Sequence, residues 1–419
     1  MAILRLAWHS LVNRRATAAL TVVSIALSVT LLLGVERLRT EARAGFANTL
    51  SGTDLIVGSR SGPVQLLLYS VFRIGDPTNN ISWRSYQEIA ALPQVAWTVP
   101  ISLGDSHRGF RVVGTTQDYF KHYRYARDRS LVVKAGKVFD DLYDAVVGAE
   151  VASALGYKVG DEIVLAHGAS DVRFTRHDDK PFRIAGILAR TGTPVDRSVH
   201  VSLRAIEAIH LGWQQGAPMP GLSIDAETAR KMALQPKAIT AALVGLKSKV
   251  ATFRVQRFVN DYRAEPLTAI IPGAALSQLW RLIGLAENAL LLVSGFVVVV
   301  GLFGLLTALL TGLNERRREM AILRSVGARP GHVFGLIMGE AIFLTLLGAV
   351  LGMTLLYMLL FLGQPIIDSR FGIFIEIGVL SSYEWILLGA VIGSGFLVGI
   401  VPSYRAYRLS LADGLSVRV

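Results

Sequence analysis

Four stretches of this chain are apolar for long enough to cross a bilayer as helices, and their order sets the expected architecture. A hydrocarbon core of about 30 Å takes about 20 helical residues. Ala16 to Val35 carries no charge, and 16–36 is predicted as transmembrane helix 1. The run Ala286 to Leu313 measures about 42 Å at about 1.5 Å per residue. With the helix-favouring Ala274 to Gly284 before it, 279–313 is predicted as a stalk continuous with transmembrane helix 2. A projecting rod and a tilted helix both satisfy that length. Helices 3 and 4 are expected at 333–362 and 386–404, joined by an outer loop, 363–385, in which Arg370 is the only basic residue. Ahead of the first span, residues 1–15 put Ile3, Leu4, Ala7, Trp8, Leu11 and Val12 on one face, as in an amphipathic helix lying in the interface. A signal peptide is the competing reading of this start. The apolar run is longer than the usual h-region of about 7–15 residues, and no clear small-x-small cleavage site precedes a composition change.

Between the first two spans, residues 37–278 read as a water-soluble domain. Helix 1 is expected to continue through Phe46, because Glu36, Arg37, Arg39, Glu41 and Arg43 form helix well in a solvated setting. Strand patterns fall at 54–58, 95–101, 110–114, 145–148, 162–166, 182–189, 199–203 and 239–245, with helical stretches at 85–92, 149–155, 203–210 and 251–262. Strands and helices mixed without strict alternation favour α+β over a doubly wound sheet. A region this long is expected to form two subdomains, breaking near Lys137 and rejoining near Pro236. The expected fold class is membrane α-helical, with four transmembrane helices and a large α+β extracytoplasmic domain inserted between helices 1 and 2.

The polar segment 314–332 separates the second and third spans. It sets Arg316, Arg317, Arg318, Arg324 and Arg329 against only Glu315 and Glu319, and short loops rich in arginine stay on the cytoplasmic side. Arg14 and Arg15 place the N-terminus there too, so both termini are expected in the cytoplasm and the large domain outside. The segment also reads as a short helix. Met320, Leu323 and Gly327 share a face, and Gly327 followed by Pro330 stops it. A compact charged helix at a membrane surface is something a soluble partner can push against.

Charge alone signals no more than topology, but the residue order goes further. Glu315-Arg316, Arg318-Glu319, the triplet Ala321-Ile322-Leu323, Arg324 and Gly327-Ala328 closely resemble the coupling segment of MacB/FtsX-type permeases of ABC transporters. The end of the chain, from Pro402-Ser403-Tyr404-Arg405-Ala406 to Leu415, resembles the tail that closes those permeases, departing from it at Leu411 and Gly414. The resemblance covers the four helices and the coupling segment. In position and size the outer domain is closer to that of MacB and the lipoprotein-releasing permeases than to the smaller one of cell-division FtsX.

The resemblance implies a permease subunit in a bacterial inner membrane, paired with a second protomer and driven by ATP-dependent closure of two nucleotide-binding subunits. It implies helices that transmit motion and so export or extract an envelope substrate, whether a lipoprotein, peptide, lipid or drug. The residues expected to couple to the ATPase are Glu315, Arg316, Arg318, Glu319, Met320, Leu323, Arg324 and Gly327. A G-x-x-x-x-G-K-[ST] phosphate loop is absent from the sequence, so ATP and Mg are expected on a separate ATPase chain. Other expected partners are membrane lipids and a periplasmic adaptor or lipoprotein. Alternative readings are a regulatory subunit that activates an envelope enzyme and a membrane-tethered binding module without a motor.

Composition agrees with a membrane protein carrying a large soluble part. The 419 residues are 52% hydrophobic with a mean hydropathy of +0.46, and 18% are charged, against about 25% in an average soluble domain. The net charge of +12 is read as membrane orientation, not as a nucleic-acid footprint, since many arginines flank apolar spans. The absence of cysteine excludes disulfides, thiolate metal sites and a cysteine nucleophile.

Candidate chemistry is sparse, and no catalytic, cofactor or metal residue is expected. Gly58-Ser59-Arg60-Ser61-Gly62 has the glycine frame of a nucleophile elbow with arginine at its centre. His177-Asp178-Asp179 reads as a solvated turn, and the eight histidines lack the i, i+4 spacing of a zinc helix. Glu340 in the third span is expected to pair with a nearby arginine instead of forming a proton or ion site. Gly348 with Gly352, Gly389 with Gly393, and Gly395 with Gly399 are expected helix-packing faces, inside the protomer or in a dimer. Leu66, Leu67, Leu68, Tyr69 and Phe72, within the apolar patch 63–74, are candidate contacts to a partner or cargo; the same residues also suit a buried helix of the domain core.

Overall fold

In the computed structural model the described residues are 14–126, 128–168, 177–214, 217–218, 224–371 and 377–408. The amphipathic start expected at 1–15 lies outside them, apart from its last two residues, as does the tail beyond Arg408. The chain forms two compact units, a helical bundle and a mixed α/β domain, with the boundaries falling inside the first two long helices.

Among the described residues the bundle contains four helices long and apolar enough to cross a membrane. In chain order the helices of this unit are α1 (Arg15–Asn48), α2 (Pro272–Glu315), the short α3 (Arg317–Ser325), α4 (Pro330–Phe371) and α5 (Ser382–Arg408). Helix α1 continues past Phe46, as its charged, helix-favouring sequence requires, and α2 runs unbroken for 44 residues. Ile25, Val29 and Leu33 of α1 pack against Leu305 and Leu309 of α2, Ala341 and Leu344 of α4, and Leu388 of α5.

Small residues bring these helices close, as such residues do in lipid, where apolar burial gives no drive for helix association. A Cβ on Gly348 would fall 2.7 Å from Ile25 Cβ, and one on Gly352 would fall 2.7 Å from the Ala26 carbonyl oxygen. On α5, Gly395 lies against Thr345 and Gly399 against Ala341 and Met338. Among the described residues nothing lies within 4 Å of a Cβ added to Gly389 or Gly393, so neither makes a close helix approach there. Thr30 Oγ1 donates to the Gly352 carbonyl at 2.9 Å, using the same close approach.

The mixed domain is built on two sheets. The chain first forms β1 (Leu55–Ser59) and β2 (Val95–Ile101). It then forms β3 (Asp105–His107), β4 (Phe110–Thr115), β5 (Val133–Gly136), β6 (Asp144–Val147), β7 (Glu162–Ile163), β8 (Ala166–His167), β9 (Phe182–Leu188) and β10 (Ser198–Ser202). It returns through β11 (Ala241–Leu246) and β12 (Leu267–Ile270). The first sheet has the order β12-β1-β11-β2 and is antiparallel throughout. The eight-stranded second sheet has the order β7-β9-β6-β10-β4-β3-β8, with β5 on β9, and its β6–β9 and β4–β10 pairs are parallel. Because β3, β4 and β5 already belong to the second sheet, the chain crosses between Ile101 and Asp105, ahead of the expected break at Lys137. It rejoins the first sheet with β11 at Ala241.

The apolar patch is core, which corrects its reading as a contact for a partner or cargo. Helix Pro63–Leu67 continues as a π-helical turn, Leu68–Phe72, and Arg73 at φ 60° ends it. Leu66, Leu67, Tyr69 and Phe72 are buried and Leu68 is half-buried, in one cluster with Ile56, Val99 and Leu243. Gly58 of β1 makes the room: a Cβ there would meet Leu66 Cδ1 at 2.6 Å and the Tyr69 hydroxyl at 3.0 Å.

Candidate functional site

The segment between α2 and α4 folds as a sharp elbow around α3. Gly327 takes φ +105°, a region that suits glycine. The Ala328 N–H donates to the Leu323 carbonyl at 3.0 Å and the Gly327 N–H to the Arg324 carbonyl at 3.1 Å, the paired closure of a Schellman motif. Pro330 then opens α4, where its missing N–H costs nothing. His332 Nδ1 accepts from the Arg329 N–H at 3.1 Å and satisfies one of the donors left free at that helix start.

The inward face of α3 is anchored. Met320 packs with Leu313 of α2, Val333 and Ile337 of α4 and Ala406 of α5. Leu323 lines a small apolar cavity with Met320, Ala328 and Val333. Arg316 is buried; its Nη1 donates to Glu340 Oε2 at 2.8 Å and its Nε to Glu319 Oε2 at 3.3 Å. The arginine expected to pair with Glu340 is therefore Arg316. Arg14 Nε and Nη2 donate to Glu315 Oε2 at 2.9 and 2.6 Å, tying the start of α1 to the end of α2.

These contacts sort the expected coupling residues. Arg316 and Met320 face inward and hold α3, and the exposed Gly327 shapes its end. Glu315 and Glu319 are exposed, and Leu323 and Arg324 are half-buried. The side chain of Arg318 lies outside the described residues. Two apolar side chains that the charge pattern does not single out, Ile322 and Val326, are 59% and 83% exposed. Their i, i+4 spacing on the side away from Met320 is the signal that could have found them.

At the other end of the bundle a second buried ion pair crosses helices. Arg37 Nη1 of α1 lies 3.8 Å from Glu384 Oε1 of α5, and Arg37 Nη2 donates to the Gly378 carbonyl at 2.8 Å. Glu384 also closes a capping box, accepting from the Ser381 N–H at 2.6 Å and donating its own N–H to Ser381 Oγ at 3.2 Å.

In the α/β domain, histidines far apart in sequence come together. His177-Asp178-Asp179 does form a turn with both aspartates exposed, but the His177 side chain is fully buried, its ring 5.1 Å from that of His210. His167 and His210 converge on Asp105.

The family model for a MacB-like periplasmic core domain matches residues 18–254, more than half of the chain, and that for an FtsX-like permease C-terminal region matches 291–411. The chain belongs to the MacB/FtsX-type ABC permease family. This permease is 31% identical over 127 residues to the "Macrolide export ATP-binding/permease protein MacB" of Photorhabdus laumondii, covering 30% of this chain and 19% of that protein. It is 23% identical to the MacB protein of Nitrosomonas europaea over 99% of this chain and 59% of that one. It is 23% identical to the "Pyoverdine export ATP-binding/permease protein PvdT" of Pseudomonas aeruginosa, over 81% of this chain and 48% of that one. The permease thus spans less than two thirds of the length of each of these relatives. Permeases of this family work with ABC ATPases.

Proposed function

We propose that this permease converts ATP hydrolysis on a separate nucleotide-binding subunit into movement of its α/β domain, and so drives export or extraction of an envelope substrate. The observation that carries the reading is the two-faced α3. Met320 and Arg316 hold one face to the membrane helices, while Ile322 and Val326 offer a partner an apolar foothold beside the exposed Glu319. The arginine-rich surroundings favour the cytoplasmic side, where an ATPase has its nucleotide. The long, continuous α1 and α2 supply stiff elements that can carry a displacement. Export in the names of the MacB and PvdT relatives supports an export-type role. In this reading the permease sits in the inner membrane with both termini cytoplasmic, and a second protomer completes the transporter.

The test uses the full-length permease reconstituted with its ATPase. Ile322→Glu and Val326→Glu should abolish stimulation of ATP hydrolysis while the chain still inserts in the membrane; full stimulation in both variants overturns the reading. The absence of cysteine makes a Ser325→Cys reporter clean. It should react with an impermeant thiol reagent only from the cytoplasmic side, and labelling from outside is equally fatal.

A further inference from the structure

We infer that Asp105, His167 and His210 form a binding site for one divalent transition-metal ion of the zinc class, on the floor of a cleft in the α/β domain. Three separate elements supply the ligands. Asp105 opens β3 and His167 closes β8; the two residues face each other directly in the antiparallel ladder, which puts their side chains side by side on one face of the sheet. His210 comes from a different layer, as the cap residue that ends the helix Leu203–Ile209 after β10.

The three donor atoms form a nearly regular triangle. His167 Nδ1 lies 3.1 Å from Asp105 Oδ1 and 3.1 Å from His210 Nε2, and His210 Nε2 lies 3.5 Å from Asp105 Oδ1. Ligands held about 2.0–2.1 Å from a tetrahedral zinc ion stand about 3.3 Å from one another, so the triangle already has the required edge length. A single N–H on His167 Nδ1 can point at only one of its two neighbours. One cation at the centre satisfies all three donors together.

The surroundings orient the ligands as a metal site requires. His210 Nδ1 lies 2.8 Å from the Ile206 carbonyl, so this nitrogen donates to the backbone and Nε2 is the one turned to the triangle. A backbone carbonyl holding the far ring nitrogen is the usual support of a metal-bound imidazole. Asp105 is buried, whereas His167 and His210 are 38% and 27% exposed and line a cleft of about 450 Å³. That opening leaves a fourth position for water or another small ligand. Behind the site, the buried His177 ring packs edge-on to His210 at 5.1 Å. Two imidazoles and one carboxylate, with no thiolate, suit zinc, nickel or copper; magnesium and calcium prefer all-oxygen shells.

The inference is independent of the coupling reading, because it concerns equilibrium binding by the α/β domain and involves neither α3 nor ATP. Its test uses the full-length permease in detergent, without a polyhistidine tag and stripped with a chelator. Zinc alone should bind at one ion per chain by calorimetry, magnesium should not bind, and cobalt should show the visible absorption of a tetrahedral ion. His167→Ala and His210→Ala should each weaken zinc by at least about tenfold. His122→Ala, at a histidine stacked on Trp97 away from the cluster, should leave it unchanged. Should His210→Ala misfold, His167→Gln at the more exposed ligand supplies the comparison, with the unfolding temperature of the stripped protein as the check on folding. Failure of the wild-type protein to bind one zinc ion, or an equal loss of affinity in His122→Ala, overturns the inference.

Discussion

Arg316 Nη1 and Glu340 Oε2 lie 2.8 Å apart, the arginine just before α3 and the carboxylate inside α4, both largely shielded from solvent. Breaking a buried pair by removing one partner leaves a stranded charge, a loss of about 3–5 kcal/mol. Glu340→Ala should therefore lower the unfolding temperature of the bundle sharply, whereas Arg316→Met combined with Glu340→Leu should recover most of the loss. A double-mutant cycle on detergent-solubilised protein measures this. Simple additivity of the two single losses would show that the pair does not pin the elbow.

Gly327 ends α3 at φ +105°. An L-residue forced toward the left-handed region pays about 1–2 kcal/mol, so Gly327→Ala should fray the last turn and speed amide exchange at Ala328 and Gly327, the two donors of its closing bonds. Gly327→Asn should do so less. Unchanged exchange at these two amides in the alanine variant would contradict the assignment.

The glycines of α4 and α5 should separate by face. Gly352→Ala places a methyl 2.7 Å from the Ala26 carbonyl oxygen, where backbone has to move; the expected cost is about 1–3 kcal/mol. Gly389→Ala and Gly393→Ala meet nothing within 4 Å among the described residues and should change protomer stability by less than about 0.5 kcal/mol. If the second protomer uses that open face, these two variants will lower dimer cross-linking without lowering the melting temperature. A melting loss as large as that of Gly352→Ala would sink the distinction.

His200 on β10 is fully buried, with Nδ1 3.3 Å from the Val146 carbonyl and its ring on Tyr119 at 5.1 Å. Burial, reinforced by the nearby positive charge of Arg73 and only partly opposed by the Val146 carbonyl, lowers its pKa from 6.5 to about 3. The unfolded chain therefore takes up this proton first as pH falls. The contribution to stability is complete above 6.5 and is lost on acidification toward 3, at about 1.4 kcal/mol per pH unit. Calorimetry of the full chain between about pH 7 and pH 4.5 should show the α/β domain's transition falling with pH, and His200→Asn should flatten that slope. An identical slope in the variant would exclude His200 as the source.

Much of the local structure was open to reading in the sequence, because it follows from the repeat of the backbone itself. The pattern of Val95 to Ile101 marks a strand, and β2 has those bounds; Ala149 to Leu155 marks a helix, and the helix has those bounds. Gly327 and Pro330 stop one helix and start the next through their own φ restrictions. The apolar runs are long enough for spans whatever they pack against. The patch at Leu66 shows the limit: its composition is the same for a buried turn and a docking surface, and the choice depended on Gly58 of β1 lying beneath it.

The membrane-helix pattern, the mixed domain, the basic elbow and the family were all legible in residue order, since each depends on neighbours within a few positions or on a short motif. Which arginine meets Glu340, which face of α3 stays open and which glycines touch were settled by packing in three dimensions. Packing also brought His167 within 3.1 Å of Asp105 and of His210, which lie 62 and 43 positions away along the chain. Strand register and layer packing set those distances, and spacing along a chain carries no measure of either.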